Sequence, residues 1–429
     1  MTPPVSSWWT AGRRFLRMRR FPNIPMNSRF VSLLKTVMAV AVAFVSRAAG
    51  LAAPDAASSF GDNLQLRGSL INSRIRFERD KKGTVAFMGG SITEMNGYRP
   101  MVCDILKKRF PATDFKFVDA GIGSTCSTTG AFRLATDVLA QGPVDLFFVE
   151  FAVNDDQDAA HTRTECIRGL EGIIRHARQI NPDIDIVVTF FVNEGMLKTL
   201  QSGQTPLTIE AHETVAKHYA VSTINLAKEA AEEITAGKLT WQQYGGVHPA
   251  PYGNAIGARM IDELFSRAWA APLAADAALK PHPNPEPIDP LSYSNGRFID
   301  PKEAQIKSGW TLEVPDWKSL PGSKRPRFTS IPMLCATEPG AEATLSFEGT
   351  SIGAYVVAGP DAGIVEAAID DGPAANVDLY HRFSAGLHYP RTVMLGTDLK
   401  PGKHTLRLRI SPETKSAGHA ARIMQFGVN

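Results

Sequence analysis

Ser91, Asn154 and His248 each follow a stretch of chain suited to holding a side chain still. Ser91 closes the run Thr84-Val-Ala-Phe-Met-Gly-Gly-Ser-Ile-Thr93, in which Val85 to Met88 read as a buried parallel strand. Gly89-Gly90 let the chain turn sharply while other backbone approaches closely. By itself Gly-Gly-Ser fits a helix cap better than a nucleophile. A second apolar run, Asp145-Leu-Phe-Phe-Val-Glu-Phe-Ala-Val-Asn154, delivers an amide that can donate to a developing oxyanion. Far downstream, Tyr244-Gly-Gly-Val-His-Pro-Ala-Pro-Tyr-Gly253 sets His248 in a Gly/Pro loop ahead of a helical stretch from Asn254 to Ala268, where an imidazole can reach another loop. A hydroxyl, an amide and an imidazole in this order are the parts of a serine acyl-transfer site.

The blocks Gly-Gly-Ser-Ile-Thr at Ser91, Ala-Val-Asn-Asp at Asn154 and Gly-Val-His-Pro at His248 resemble the SGNH/GDSL hydrolase superfamily over Thr84 to Trp269. The resemblance implies that His248 takes the proton from Ser91 as the hydroxyl attacks an ester, then returns it to the leaving alcohol. It implies an oxyanion hole made by the Ser91 N–H, the Asn154 side chain and a backbone N–H in Val118-Asp-Ala-Gly-Ile-Gly-Ser-Thr-Cys126. In that stretch the family glycine falls on Ser124, with Gly123 beside it. The donor is a backbone group, so a serine serves if its φ and ψ are accessible.

A second departure concerns the acid. The family carries an Asp three residues before the His, and here that position is Gly245. Either Ser91 and His248 act as a dyad, or another carboxylate substitutes; Glu150, Asp155 and Asp156 flank the Asn154 strand end and are the candidates. The competing class is a binding protein that keeps the fold without turnover.

No metal and no cofactor is expected. His161, His176, His212 and His218 fall on or near amphipathic helical stretches, and none has metal-ligand spacing with a Cys or carboxylate cluster. Cys103, Cys126, Cys166 and Cys335 make no disulfide framework in a chain of 429 residues. A net charge of +3 is too small to argue for nucleic acid, and part of it lies in Arg13, Arg14, Arg17, Arg19 and Arg20. The apolar run Thr36 to Val45, preceded by Arg29 and Lys35 and followed by Ala48-Ala-Gly-Leu-Ala-Ala53, has signal-peptide architecture. The expected location is therefore secreted or periplasmic, with no stable membrane span after cleavage near Ala52 or Ala53. Met26 is an alternative start.

The elements that must position these residues alternate. Strands near 84–88, 115–118, 146–151, 184–191 and 221–225 are separated by helical patterns at 100–110, 131–140, 163–180, 209–219 and 254–268. Such alternation predicts a parallel sheet with helices on both faces, and the resemblance implies a three-layer α/β/α, flavodoxin-like arrangement. Pro281-His-Pro-Asn-Pro-Glu-Pro287 can neither continue a helix nor join a central strand, so it reads as a surface connector. Beyond it, short period-two runs such as Ala343-Thr-Leu-Ser-Phe-Glu348 and His404-Thr-Leu-Arg-Leu-Arg-Ile410 predict a smaller antiparallel β-sandwich, jelly-roll-like in pattern.

The expected layout is thus a basic extension and signal peptide (1–53), a hydrolase domain (54–270), a linker (271–300) and a sandwich (301–429). Between sandwich strands, Tyr380-His-Arg-Phe383 and Leu387-His-Tyr-Pro-Arg391 suit either a sugar ring or packing onto the hydrolase domain. Export and the sandwich together favour an esterase that removes O-acetyl groups from a carbohydrate. The partner is then an acylated small molecule or polysaccharide, with a lipase, thioesterase or arylesterase as the alternative within enzymes.

Overall fold

Five parallel strands flanked by helices form the centre of the first layer system, each near the position its apolar run predicts. The computed structural model describes residues 60–429; the leader lies outside them. In chain order the elements are β1 (Leu64–Gln65), α1 (Ile71–Arg74), β2 (Lys82–Gly89), α2 (Ser91–Glu94), α3 (Tyr98–Arg109), β3 (Asp114–Gly121), α4 (Ser127–Asp137), β4 (Leu146–Glu150), α5 (Ala152–Gln157), α6 (Arg163–Ile180), β5 (Asp185–Phe190), α7 (Glu194–Gln201), α8 (Leu207–His218), β6 (Ser222–Asn225), α9 (Leu226–Thr235), α10 (Trp241–Tyr244) and α11 (Pro251–Ala268). The sheet order is β1-β6-β5-β4-β2-β3, parallel throughout except for the edge strand β1.

Crossovers put α4, α6 and α8 against one face and α3, α9 and α11 against the other. Because both faces are covered, β4 and β5 are buried at every residue, and their sequences are continuous apolar runs rather than alternating ones. The chain leaves β2 to opposite sides, toward β3 and toward β4, so the crevice of the fold opens at the carboxyl end of β2.

The proline-rich segment runs over the surface but is tied down along its length. Prolines lack an N–H and their carbonyls need outside donors. Arg178 donates to the Pro283 carbonyl at 2.8 Å, Arg175 to that of Pro285, and the His218 ring to that of Glu286 at 2.8 Å. At its end the buried carboxylate of Glu171 accepts from the Ile288 N–H (2.6 Å), the Asp289 N–H (2.9 Å) and the Tyr219 hydroxyl (2.7 Å).

Two antiparallel sheets follow. One is built from β7 (Arg297–Ile299), β9 (Thr311–Glu313), β10 (Met333–Ala336), β12 (Ile352–Ala358), β15 (Tyr389–Gly396) and β17 (Ala421–Val428). The other contains β8 (Gln305–Ser308), β11 (Glu342–Gly349), β13 (Ile364–Ile369), β14 (Ala375–Asp378) and β16 (Gly402–Ile410). Leu334, Val356, Ile423 and Phe426 of the first face Leu345, Val365, Leu406 and Leu408 of the second, forming the sandwich core. The first sheet has a second buried face, where Tyr355, Val357 and Met424 pack with Phe328 and with Ile122 of the α/β layer. A Cβ on Gly427 would lie 2.5 Å from the Phe132 ring of α4, so the glycine lets helix and sheet approach closely. Residues 60–429 accordingly form one compact unit.

Replacing Glu171 by Ala strands two backbone N–H groups and a buried hydroxyl, at a cost of about 1–3 kcal/mol for each group left unpaired. The expected result is a lower urea midpoint, with protease cleavage appearing first within residues 271–290; an unchanged midpoint would mean that the strap is not held by this carboxylate.

Candidate active site

Strand register brings the candidate residues to one edge. Gly89 of β2 pairs with Gly121 of β3 on one side and with Glu150 of β4 on the other. Ser91, Ser124 and Asn154 then follow two, three and four residues beyond these paired positions. The glycines permit the approach. A Cβ on Gly90 would fall 2.0 Å from Asn154 Oδ1, and one on Gly121 would fall 2.3 Å from the Glu94 backbone N in α2. The Asn154 amide therefore lies over the turn that delivers Ser91, and the β3 loop lies on the short helix that Ser91 begins.

His248 arrives from the turn between α10 and α11. Its Nε2 stands 2.8 Å from Ser91 Oγ, so with the proton on Nδ1 the ring accepts from the hydroxyl. Asn254 fixes the turn. Buried in α11, it accepts from the Tyr98 N–H (2.8 Å) and donates to the carbonyls of Pro249 (2.5 Å) and Ala250 (3.1 Å), tying the imidazole loop to the start of α3. The sequence offered a sign of this in Pro-Tyr-Gly-Asn254, which reads otherwise as an ordinary helix start.

The place of the family acid is closed sterically. Gly245 adopts φ +105°, and a Cβ there would sit 1.9 Å from the Ala250 backbone N. None of the three candidate substitutes reaches His248. Glu150 is fully buried at the end of β4 and bonds the Thr93 hydroxyl; burial pushes its carboxyl up to about 8. Asp156 accepts from the Asn193 amide at 2.7 Å. Asp155 accepts from the Ser127 N–H and hydroxyl (both 2.7 Å) and pairs with His212 at 2.9 Å, so it anchors the start of α4. Among the described residues, Ser91 is the hydrogen-bond partner of the His248 ring, which is exposed to solvent.

The oxyanion candidates separate in the same way. The Gly123 N–H donates to Glu94 Oε2 at 2.8 Å and is engaged, whereas the N–H groups of Ser91 and Ser124 have no protein partner among the described residues. Ser124 takes φ +71°, the left-handed conformation that glycine adopts without cost, so the serine has kept the backbone shape of the residue it replaces. Asn154 donates through Nδ2 to Asp158 Oδ2 at 2.6 Å, leaving the second amide hydrogen free. Beneath the loop, buried Arg133 bonds the carbonyls of Ala120 (2.6 Å) and Gly89 (3.0 Å). The arrangement offers a hydroxyl, an imidazole in contact with it and unpaired N–H groups on the adjoining turns, the parts that acyl transfer requires.

Donor sets that could hold a metal ion also exist, where sequence spacing had suggested none. Cys126, Asp155 and His161 converge, as do Asp155, Cys166 and His212, all contributed by separate elements. Asp155 already serves Ser127 and both histidines. Although burial opposes it, the two histidines hold its carboxylate well below the usual range, and His161 is held well above its own by Cys126 and Asp155. A buried ion-pair network accounts for the cluster. The four cysteines are buried and free.

A serine hydroxyl and an imidazole in contact at the carboxyl edge of a flavodoxin-like sheet, with a strand-end Asn beside them, have the arrangement that the SGNH resemblance implies. Residues 87–256 match the model of the GDSL-like Lipase/Acylhydrolase family, and the chain is an ester-hydrolysing enzyme. Two solved structures of a two-domain esterase (CEX) active on acetylated mannans have similar folds. The form crystallised with mannopentaose aligns with a TM-score of 0.69 at 21% identity, covering 85% of this chain and 96% of the other. The second aligns at 0.68 and 22%, with the same coverage. No curated protein sequence matches the chain significantly.

Two variants probe this geometry. Gly245→Asp introduces strain of order 1–3 kcal/mol besides the clash with Ala250, so it is expected to lower Tm by several degrees and to reduce activity; a gain in activity would mean that the loop can accept a triad acid. Glu150 is protonated through the neutral range, and the cost of ionising it grows as pH rises from its ordinary 4.5 through about 8. Glu150→Gln should therefore raise Tm relative to the parent most at pH 9, by less at pH 6 and little at pH 4; equal differences at pH 4 and pH 9 would count against a buried neutral carboxyl.

Proposed function

We propose that this protein is an exported serine esterase that removes O-acetyl groups from a polysaccharide, using Ser91 as nucleophile and His248 as base without a carboxylate partner. The observation that carries the reading is the 2.8 Å contact between Ser91 Oγ and His248 Nε2 beside free N–H donors. Attack of Oγ on the ester carbonyl passes the hydroxyl proton to Nε2. The N–H groups of Ser91 and Ser124 and the Asn154 amide hold the oxyanion, and collapse to the acetyl-enzyme returns the proton to the sugar hydroxyl. Water then repeats the sequence, releasing acetate.

The substrate class rests on three supports. The solved relatives with the same succession of α/β layer and sandwich act on acetylated mannans. The His248 side of the site is open, as a polymer chain requires. On the Asn154 side, Phe383 is 43% exposed with the Arg382 guanidinium 4.9 Å from its ring, a face on which a pyranose can stack. The loop that carries it also docks on the α/β layer, because Arg382 donates to the Gln157 carbonyl and the Tyr389 hydroxyl to Asp158 (2.8 Å). Export rests on the leader pattern within residues 1–53, and the amino-terminal residue of the mature protein tests it.

Acetate release from acetylated mannan and from p-nitrophenyl acetate should fall by at least a thousandfold in Ser91→Ala and in His248→Ala. Longer p-nitrophenyl esters should be poorer substrates than the acetate. Activity retained in Ser91→Ala would end the serine mechanism, and preference for long acyl chains would favour the lipase alternative.

A further inference from the structure

The loop that supplies the Ser124 N–H is gripped from outside the α/β layer. Arg325 lies between β9 and β10 of the sandwich, and its guanidinium donates to the Gly123 carbonyl at 2.5 Å and to Ser124 Oγ at 2.8 Å. Arg327, two residues on, donates to the Gly121 carbonyl at 3.2 Å and approaches Glu94 at 3.4 Å. Glu94 in turn accepts the Gly123 N–H and belongs to the helix that Ser91 begins. Residues 121–124 are thus clamped between the nucleophile helix and a sandwich segment.

Asn154 is gripped in the same manner. Its amide is fixed by Asp158, and the other oxygen of Asp158 accepts from the hydroxyl of Tyr389 in β15. The Tyr389 ring stacks on His381 at 4.4 Å, within the same sandwich. Two of the three oxyanion donors therefore have their positions set by side chains that the sandwich contributes.

We propose that the sandwich is part of the catalytic machinery rather than an appended module. In this reading Arg325 and Tyr389 are positioning residues for the oxyanion hole, Arg325 holding the left-handed Ser124 turn and Tyr389 holding Asn154 through Asp158. The proposal rests on Ser91 acting as the nucleophile. It also accounts for a serine at a glycine position: the side chain whose Cβ adds backbone strain carries the hydroxyl that Arg325 binds. A guanidinium fork can bond a carbonyl and a hydroxyl together, and an ammonium cannot match that geometry.

The test uses the full chain and two readouts, p-nitrophenyl acetate kinetics and the rate at which a fluorophosphonate labels Ser91, because the phosphoryl oxygen of that reagent also needs the oxyanion hole whatever the natural acyl group. Arg325→Ala and Tyr389→Phe should each lower kcat and the labelling rate by roughly 10- to 100-fold, a fraction of the loss of a whole donor, with KM within about twofold. Arg325→Lys should not restore the rate. Because glycine adopts the turn unaided, Ser124→Gly in the Arg325→Ala background should recover about tenfold. Unchanged kcat and labelling in Arg325→Ala and Tyr389→Phe, a loss confined to Tm or KM, or no recovery with Ser124→Gly would overturn the clamp. Absence of labelling in the parent chain would instead overturn the nucleophile reading and the clamp with it.

Discussion

In-register parallel pairing of β2 with β3 and β4 is the constraint on which the site depends. Because Gly89, Gly121 and Glu150 stand side by side, the three following turns start from one line, and short excursions suffice to converge Ser91, Ser124 and Asn154. The convergence is possible only if backbones can touch. Gly90 and Gly121 supply that, since any side chain at either position would occupy space held by Asn154 or by the α2 backbone. The same pairing buries Glu150 at the end of β4, where burial pushes its carboxyl up to about 8 and so favours the uncharged form at neutral pH.

Much of this was legible in the sequence because it is local. A run such as Val85 to Met88 between a polar start and two glycines can hardly be anything but a buried strand, and three such blocks in order define the edge. What remained hidden was long-range. Asn254, Arg133, Asp158 and Glu94 act on groups brought close by folding, and nothing in their immediate neighbours marks them. The cluster of Asp155 with His161, His212 and two cysteines escaped for the same reason, since its members come from the starts or interiors of different helices. The choice between Gly123 and Ser124 also needed the structure. Both are plausible donors by position, and only the Glu94 contact shows which N–H is engaged.

The sandwich offers a different lesson. Its β11 alternates as a one-sided strand should, with buried and exposed residues in turn. By contrast Ile352–Ala358 is buried at every position. A period-two reading of that strand accounts for Ile352, Ala354, Val356 and Ala358, which face the sandwich core, but leaves Tyr355 and Val357 unexplained. Apolar residues at both parities of an antiparallel strand require a cover on both faces, and here the second cover is Phe298, Trp317, Phe328 and Ile331, joined by Ile122 of the α/β layer. The strand thus carried, in its composition, the information that a connecting segment folds back over its second face.

That packing bears on how the proposed pair of Ser91 and His248 can work without a carboxylate. Gly245 leaves no room for a carboxylate, and an exposed imidazole must rely on solvent to hold its outer nitrogen. Orientation of His248 then falls to the loop itself, through Asn254, and on the proposed mechanism stabilisation of the transition state falls more heavily on the N–H donors. Donors act fully only if they are fixed before the charge develops, because reorganising them during reaction forfeits the advantage over water. A buried arginine below the Ser124 loop, a second guanidinium above it and a tyrosine-carboxylate pair behind Asn154 provide that fixity. On the proposed mechanism, the missing acid and the braced N–H groups are two sides of one physical arrangement, in which preorganised donors carry stabilisation that a triad would share with its carboxylate.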